Sequence, residues 1–169
     1  MSYQNYKKAV ELIEKNSNIL VKTYPQHESE IVKAENILGV KFPKSYREFL
    51  KQYGIFDINA SEIYGLDYSN LDIYLYYNTI CNTLDERKIN EDPKFPKSFV
   101  VVYDLGNGEK FCLDTARMDE EGECPIVCWS FGNVESIDDD FGKDFGEFFL
   151  NVLVKGLQRL EREGEKVNW

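Results

Sequence analysis

Apolar residues near the start of the chain recur at intervals of three and four, which is the spacing of one face of a helix. Over residues 6–16 this repeat predicts a first amphipathic helix. After Pro25 the same period returns over residues 31–38 and stops at Gly39. Because glycine suits the left-handed position just past a helix end, the second helix is predicted to end there.

A third helix is predicted to begin at Pro43, whose missing N–H would have no partner in a first helical turn. Its apolar positions share one face before the stop at Gly54; they are Tyr46, Phe49, Leu50 and Tyr53. The short connection between the second and third helices predicts a compact corner against a sheet. Residues 37–54 contain no plausible catalyst, so we interpret this stretch as scaffold.

The centre of the chain changes to strand-like patterns. Residues 62–66 resemble a short strand, residues 71–77 form an aromatic segment that fits no single element, and residues 78–88 predict another helix. Residues 99–104 are rich in β-branched side chains and short, as expected of a buried strand.

Three strands are predicted to form an antiparallel meander. Glycine and asparagine at 106–108 readily take the positive φ angles of a hairpin turn, so residues 99–104 should pair with residues 110–114. An acidic loop, 118–123, leads into the third strand, 125–129. An apolar stripe then predicts a long closing helix that ends near Gly164. The order indicates an α+β fold, with an antiparallel sheet flanked by N-terminal helices and a long C-terminal helix.

The composition predicts one domain over residues 1–169. Apolar residues make up 43% of the chain and include eleven Phe and eleven Tyr, too many aromatic residues for a disordered segment. A chain of this length hides about 70% of its unfolded surface on folding.

The formal net charge of −10 disfavours phosphate backbones and anionic membranes, so neither nucleic acid nor membrane is an expected partner. No apolar run reaches the ~18 residues that span a bilayer, and the N-terminus leads into an amphipathic segment. We therefore expect a cytoplasmic protein, monomeric, whose four cysteines are reduced and buried. The acidity has two open interpretations, ordinary solubility and attraction of a basic partner.

The sequence contains few patterns that are typical of catalysis or metal binding. His27 is the single histidine and precedes the second helix, where a surface or capping role is commoner than catalysis. Cys124 and Cys128 would lie about 13 Å apart on one strand face, too far to share a metal. Residues 106–110 lack the glycine spacing and the Ser/Thr of a phosphate loop. We expect no cofactor, no metal and no catalytic residue.

The densest acidic run is residues 135–144, which does not fit the spacing of an EF-hand. Capping of the last helix by Asp140 or Asp144, recognition of a partner and metal binding are the three interpretations of this run. A second acidic segment, 64–77, also carries five tyrosines, which suit either an interface or the core.

Several motifs, taken in order, resemble the SUKH superfamily, the group that contains the cell-wall-assembly and killer-toxin-resistance proteins. The resemblance covers residues 28–153. The residues that carry it are Glu35 to Gly39, Phe42 to Leu50, Tyr53-Gly54, Gly106 to Gly108, Cys112 to Thr115, Gly122 to Val127 and Trp129. Phe42-Pro43 stands where the family usually has Leu-Pro, and Glu109 stands where the glycine turn often carries aspartate.

The resemblance implies an α+β domain and a role as a bacterial immunity protein that binds and neutralises a cognate toxin. It supplies no shared catalytic residues. Because many such toxins are nucleases with basic surfaces, we expect the acidic and tyrosine-rich segments to bind the toxin. The candidate residues are Asp138, Asp139, Asp140, Glu135, Asp119, Glu120, Glu121, Tyr68, Asp72 and Tyr76. A scaffold that regulates cell-wall assembly and a metal-dependent hydrolase remain alternatives.

Overall fold

A computed structural model describes residues 2–19, 23–66, 77–90, 94–136 and 141–169. The described residues contain five α-helices, each of which overlaps a helix predicted from the sequence. They are α1 (Ser2–Lys15), α2 (Glu28–Leu38), α3 (Lys44–Gln52), α4 (Thr79–Ile89) and α5 (Phe145–Arg162). The prediction of an α+β fold with N-terminal helices and a long C-terminal helix is confirmed.

The strands form two antiparallel sheets, a two-stranded one and a four-stranded one in the order β3-β4-β5-β6. The strands are β1 (Phe56–Ile58), β2 (Ser61–Ile63), β3 (Phe99–Asp104), β4 (Glu109–Asp114), β5 (Ile126–Ser130) and β6 (Asn133–Ser136). The predicted meander is confirmed for β3, β4 and β5. Two strands were not predicted. Strand β1 pairs with β2 to form the two-stranded sheet, and β6 extends the meander by one strand.

Side chains alternate across the larger sheet as a period of two requires. In β5, Ile126 and Cys128 belong to the main core beneath the helices, whereas Val127 and Trp129 belong to a second cluster on the other face. That second cluster also includes Phe95 and Phe99, whose rings meet the Trp129 ring edge-on, at centroid distances of 5.2 and 6.4 Å. Both faces of the sheet are therefore apolar, one more extensively than the other.

Helix α5 supplies the largest part of the main core. The ring of Phe149 lies 5.2 Å from the rings of both Phe49 and Phe56 and 5.9 Å from that of Tyr6. These contacts join α1, α3 and β1 to one helix. At Gly156, an added Cβ would lie 2.7 Å from the side chain of Ile58, so the glycine lets α5 approach β1 closely.

The two edges of the four-stranded sheet differ. At the β3 edge, the Val101 N–H donates to Thr83 Oγ1 at 2.9 Å and the Val101 carbonyl accepts from Thr79 Oγ1 at 2.5 Å. The Val102 carbonyl accepts from the Tyr64 N–H at 2.8 Å. Helix α4 and the end of β2 thus cover this edge, a common protection against unwanted strand pairing. The β6 edge has no such cover within the described residues.

Two predicted boundaries need correction. Pro43 is the residue before α3 rather than part of its first turn, and its ψ of 155° is extended. The predicted strand at 62–66 contributes only its first residues to β2, although Gly65 continues with a bridge to Asn78. Residues 71–76 of the aromatic segment lie outside the described residues.

Candidate functional site

The corner between α2 and α3 is built around a buried carboxylate. Glu35 is only 1% exposed, and its carboxylate accepts from the Phe42 N–H and the Lys41 ammonium, both at 2.9 Å, and from the Arg47 guanidinium. Burial alone would raise the pKa of Glu35, but these donors outweigh it and hold the pKa below its ordinary value. The carboxylate of Glu35 thus holds α2 against the start of α3, which supports the interpretation of residues 37–54 as scaffold.

A second buried carboxylate joins the acidic loop to the start of α3. Glu123 is 4% exposed, and it accepts from the Ser45 N–H at 3.0 Å and from the Ser45 hydroxyl at 2.6 Å. The neighbouring Gly122 carbonyl accepts from the Lys44 N–H at 2.9 Å. Because Pro43 has no side chain that can cap a helix, the loop supplies the missing acceptors. From the sequence, Glu123 was predicted only to lie in the acidic loop, and its bonds to Ser45 were not predicted.

The remaining carboxylates of that loop face solvent. Asp119, Glu120 and Glu121 are exposed. Asp119 Oδ1 accepts from the backbone N–H groups of Glu121 and Glu123, both at 2.9 Å. Asp119 therefore fixes the shape of the loop, while Glu120 and Glu121 are carried on a defined backbone.

The second acidic run begins at the same end of the sheet. Ser136, the last residue of β6, lies opposite Val127, near the start of β5 where the acidic loop enters. At the C-terminal end of the run, Asp144 forms an isolated antiparallel β-bridge with Pro125. The Lys143 carbonyl accepts from the Ile126 N–H at 3.0 Å. Glu135 is exposed on β6. The predicted site residues Asp138, Asp139, Asp140, Tyr68, Asp72 and Tyr76 lie outside the described residues.

At the opposite end of the sheet, the β5–β6 turn carries an aromatic residue that the sequence analysis missed. Phe131 is 77% exposed, with φ +45°, and is followed by Gly132 with φ +88°. Two positive φ angles in a two-residue hairpin loop indicate a type I′ turn, which favours Asn or Gly over a bulky aromatic. Val134, the second residue of β6, is 53% exposed. The Phe-Gly dipeptide lacks the usual Asn-Gly signal, which is why no hairpin was predicted here.

Comparison with known proteins places the fold in a family. A family model, SUKH_5, described as SMI1-KNR4 cell-wall, matches residues 6–154, well over half of the chain. The chain belongs to the SUKH_5 family. The comparison with curated proteins returns no match. The matched span contains the two buried glutamates, Glu35 and Glu123, so the motifs that begin at Glu35 and at Gly122 both contact residues at the start of α3.

The other candidate groups of this SUKH_5 protein have structural or surface positions. His27 is exposed, and its side chain makes no capping bond to α2. All four cysteines are free; Cys112, Cys124 and Cys128 are buried, and Cys81 is half-buried. Burial raises the pKa of Cys128 to about 11, so its thiol is protonated at neutral pH and is a poor nucleophile.

The start of α5 in the SUKH_5 fold confirms one interpretation of the second acidic run. Asp144 Oδ1 accepts from the Glu147 N–H at 2.9 Å, and Glu147 Oε2 accepts from the Lys143 N–H at 3.0 Å. This reciprocal arrangement resembles a capping box. Across the described residues, no group of three or more His, Cys, Asp or Glu side chains is placed to hold a metal ion. No helix in the same residues is both long and apolar enough to cross a membrane.

Proposed function

We propose that this protein is an immunity protein that acts in the cytoplasm. It would bind a cognate toxin in an equimolar complex and neutralise it without a catalytic step. Membership of the SUKH_5 family supports this role or one like that of the SMI1-KNR4 proteins. The observation that favours toxin binding is that some acidic side chains at one end of the sheet are buried and others are exposed. Glu123 is buried in the scaffold, while Glu120 and Glu121 on the same loop face solvent.

Electrostatics favours a basic partner surface. With a net charge of −10, the protein attracts positively charged proteins at long range, which speeds association more than it strengthens the final complex. Because Asp119 holds the loop backbone, less conformational entropy is lost when Glu120 and Glu121 meet a partner. A nuclease toxin, whose substrate-binding surface must be basic, fits this chemistry.

Co-expression with the product of the gene directly upstream tests the proposal. We expect rescue from growth arrest and recovery of an equimolar complex. Two variants probe the acidic surface: E120Q/E121Q, and D138N/D139N/D140N. Each should slow association several-fold at low salt, and the difference from the native protein should shrink as salt screens the charges. The wild type failing to rescue growth, with no complex formed, would overturn the proposed function.

A matched control changes the same number of charges elsewhere. Glu163 and Glu165 are exposed beyond the C-terminal end of α5. An 18-residue helix is about 27 Å long, so these residues are remote from the acidic loop near the α5 N-terminus. The variant E163Q/E165Q carries the same net charge as E120Q/E121Q. Equal loss in both variants would mean that overall charge matters and that the loop is not a binding site.

A second candidate function is regulation of cell-wall assembly. It is favoured by the description of the matching family model, SMI1-KNR4 cell-wall. This function predicts binding partners that are not toxins and no protection from the upstream gene product. The co-expression experiment therefore separates the two candidates.

A further inference from the structure

Strand β6 leaves one row of backbone groups without a partner in the described part of the protein. Ser130 and Asn133 flank the two-residue turn, so they form the pair that exchanges both hydrogen bonds. The next pair, Trp129 and Val134, is then a non-hydrogen-bonded pair. The N–H and C=O of Val134 consequently point away from β5, toward the open edge.

The turn next to this edge combines exposure with an unfavourable backbone. A bulky residue at positive φ is rare, and such positions cluster at binding sites because selection for stability alone would remove them. The Phe131 ring lies against Gly108, where an added Cβ would lie 2.6 Å from Phe131 Cζ, yet Phe131 remains 77% exposed. The ring therefore contributes little to the core and is available to a partner.

We propose that the toxin adds an extended, positively charged segment along the open edge of β6 and receives Phe131 in an apolar pocket. This inference rests on the proposed function and names the surface that carries it. Backbone hydrogen bonds to Val134 would supply affinity, and Phe131 would act as the buried aromatic anchor. The exposed Glu135 on β6 selects basic side chains in the added strand.

Charge argues for a basic partner over a second copy of this chain. Pairing two β6 strands would bring together two molecules of net charge −10, each with an exposed Glu135 on a strand that runs in sequence toward Asp138. Like charges on paired strands are destabilising. A basic segment instead brings positive charge next to Glu135.

The test measures binding to the upstream gene product, made inactive by substitution in its own active site, together with stability. V134P removes an N–H that points away from β5, so it breaks no hydrogen bond of the sheet, and proline is tolerated on an edge strand at such a position. V134T keeps the N–H and the β-branched shape and serves as the control. We expect V134P to weaken binding at least tenfold, and V134T less than threefold, with both variants folded by circular dichroism.

Phe131→Asn gives a readout that a structural role would not produce. Asparagine tolerates the left-handed conformation, so F131N should raise the melting temperature while weakening binding at least tenfold. In hydrogen exchange on the native protein, the amide of Val134 should become protected in the complex, whereas the Glu135 amide should change less because it already bonds to β5.

Several results would overturn the inference. If the native protein forms the complex but F131N and V134P bind equally well, the surface is wrong and the proposed function stands. If the native protein does not bind, both fall. Concentration-dependent dimers that F131N or V134P dissolves would replace the partner strand with a second copy. Absence of new amide protection at Val134 would exclude strand addition.

Discussion

Glutamate side chains are buried around the α2–α3 corner but exposed on the acidic loop before β5 and on the β5–β6 hairpin. At the corner, Glu35 and Glu123 are buried and each accepts more than one hydrogen bond. On the loop and hairpin, Glu120, Glu121 and Glu135 are exposed. Buried carboxylates must be paired because desolvation is costly, whereas exposed ones can vary with little effect on stability. The glutamates that stabilise the fold are thus distinct from those that are exposed on its surface.

The largest test of the comparison is Glu35→Ala. This change leaves the buried Phe42 N–H without its acceptor and removes one of the two carboxylates that the Arg47 guanidinium bonds, the other being Glu28. We expect a loss of about 3 kcal/mol in the free energy of unfolding at pH 7. Urea denaturation measures it. The control Glu135→Ala removes an exposed carboxylate from β6 and should stay within about 0.5 kcal/mol of the native value. Similar losses in both variants would contradict the division between corner and hairpin.

Glu123→Ala should have the next largest effect. It removes the side-chain cap of α3, which typically costs about 1–2 kcal/mol, and leaves the buried Ser45 hydroxyl without its carboxylate acceptor. Glu121→Ala is the matched control two residues earlier on the same loop. Urea denaturation of the pair tests whether one loop holds both a structural and an exposed acidic residue. A larger loss in Glu121→Ala would reverse the assignment.

Acid titration of stability sharpens the role of Glu35 further. Because its pKa is lowered in the folded state, the unfolded chain binds more protons as the pH falls below about 4.5, and the stabilisation is lost toward the folded-state pKa. Glu35→Gln cannot titrate. Denaturation at pH 7, 5, 4 and 3 should therefore show the native protein exceeding E35Q at neutral pH and the gap closing in acid. A gap independent of pH would mean that the charge of Glu35 does not contribute.

Sequence periodicity predicts the elements whose patterns are long. α5 runs for 18 residues and β3 for six, so each repeats its period enough to be recognised. Strand β1 has three residues, Phe56–Ile58, which are too few for a periodic pattern. Strand β6 was missed because Phe131-Gly132 adopts a turn that normally requires Asn-Gly. Short strands whose turns use unusual residues are thus the part of the fold that the pattern does not reveal.

The exposure of several acidic candidate residues could be predicted from the sequence, but the contacts around them could not. Exposure of Asp119, Glu120, Glu121 and Glu135 agrees with their acidic context. The partnership of Glu123 with Ser45 joins residues 78 positions apart, and no local spacing encodes it. The exposure of Phe131 was not predicted because aromatic residues are usually buried in the core.

The smallest expected effect concerns the hairpin and has an unusual sign. Phe131→Asn replaces a residue strained at φ +45° by one that tolerates this conformation, so we expect a gain of about 1 kcal/mol in the free energy of unfolding. Gly132→Ala makes the opposite change at φ +88° in the same turn and should lose about the same amount. Urea denaturation of both variants gives the two signs. Destabilisation by Phe131→Asn would mean that the contact of the ring with Gly108 outweighs the backbone strain, and Phe131 would then be a structural residue like those of the corner.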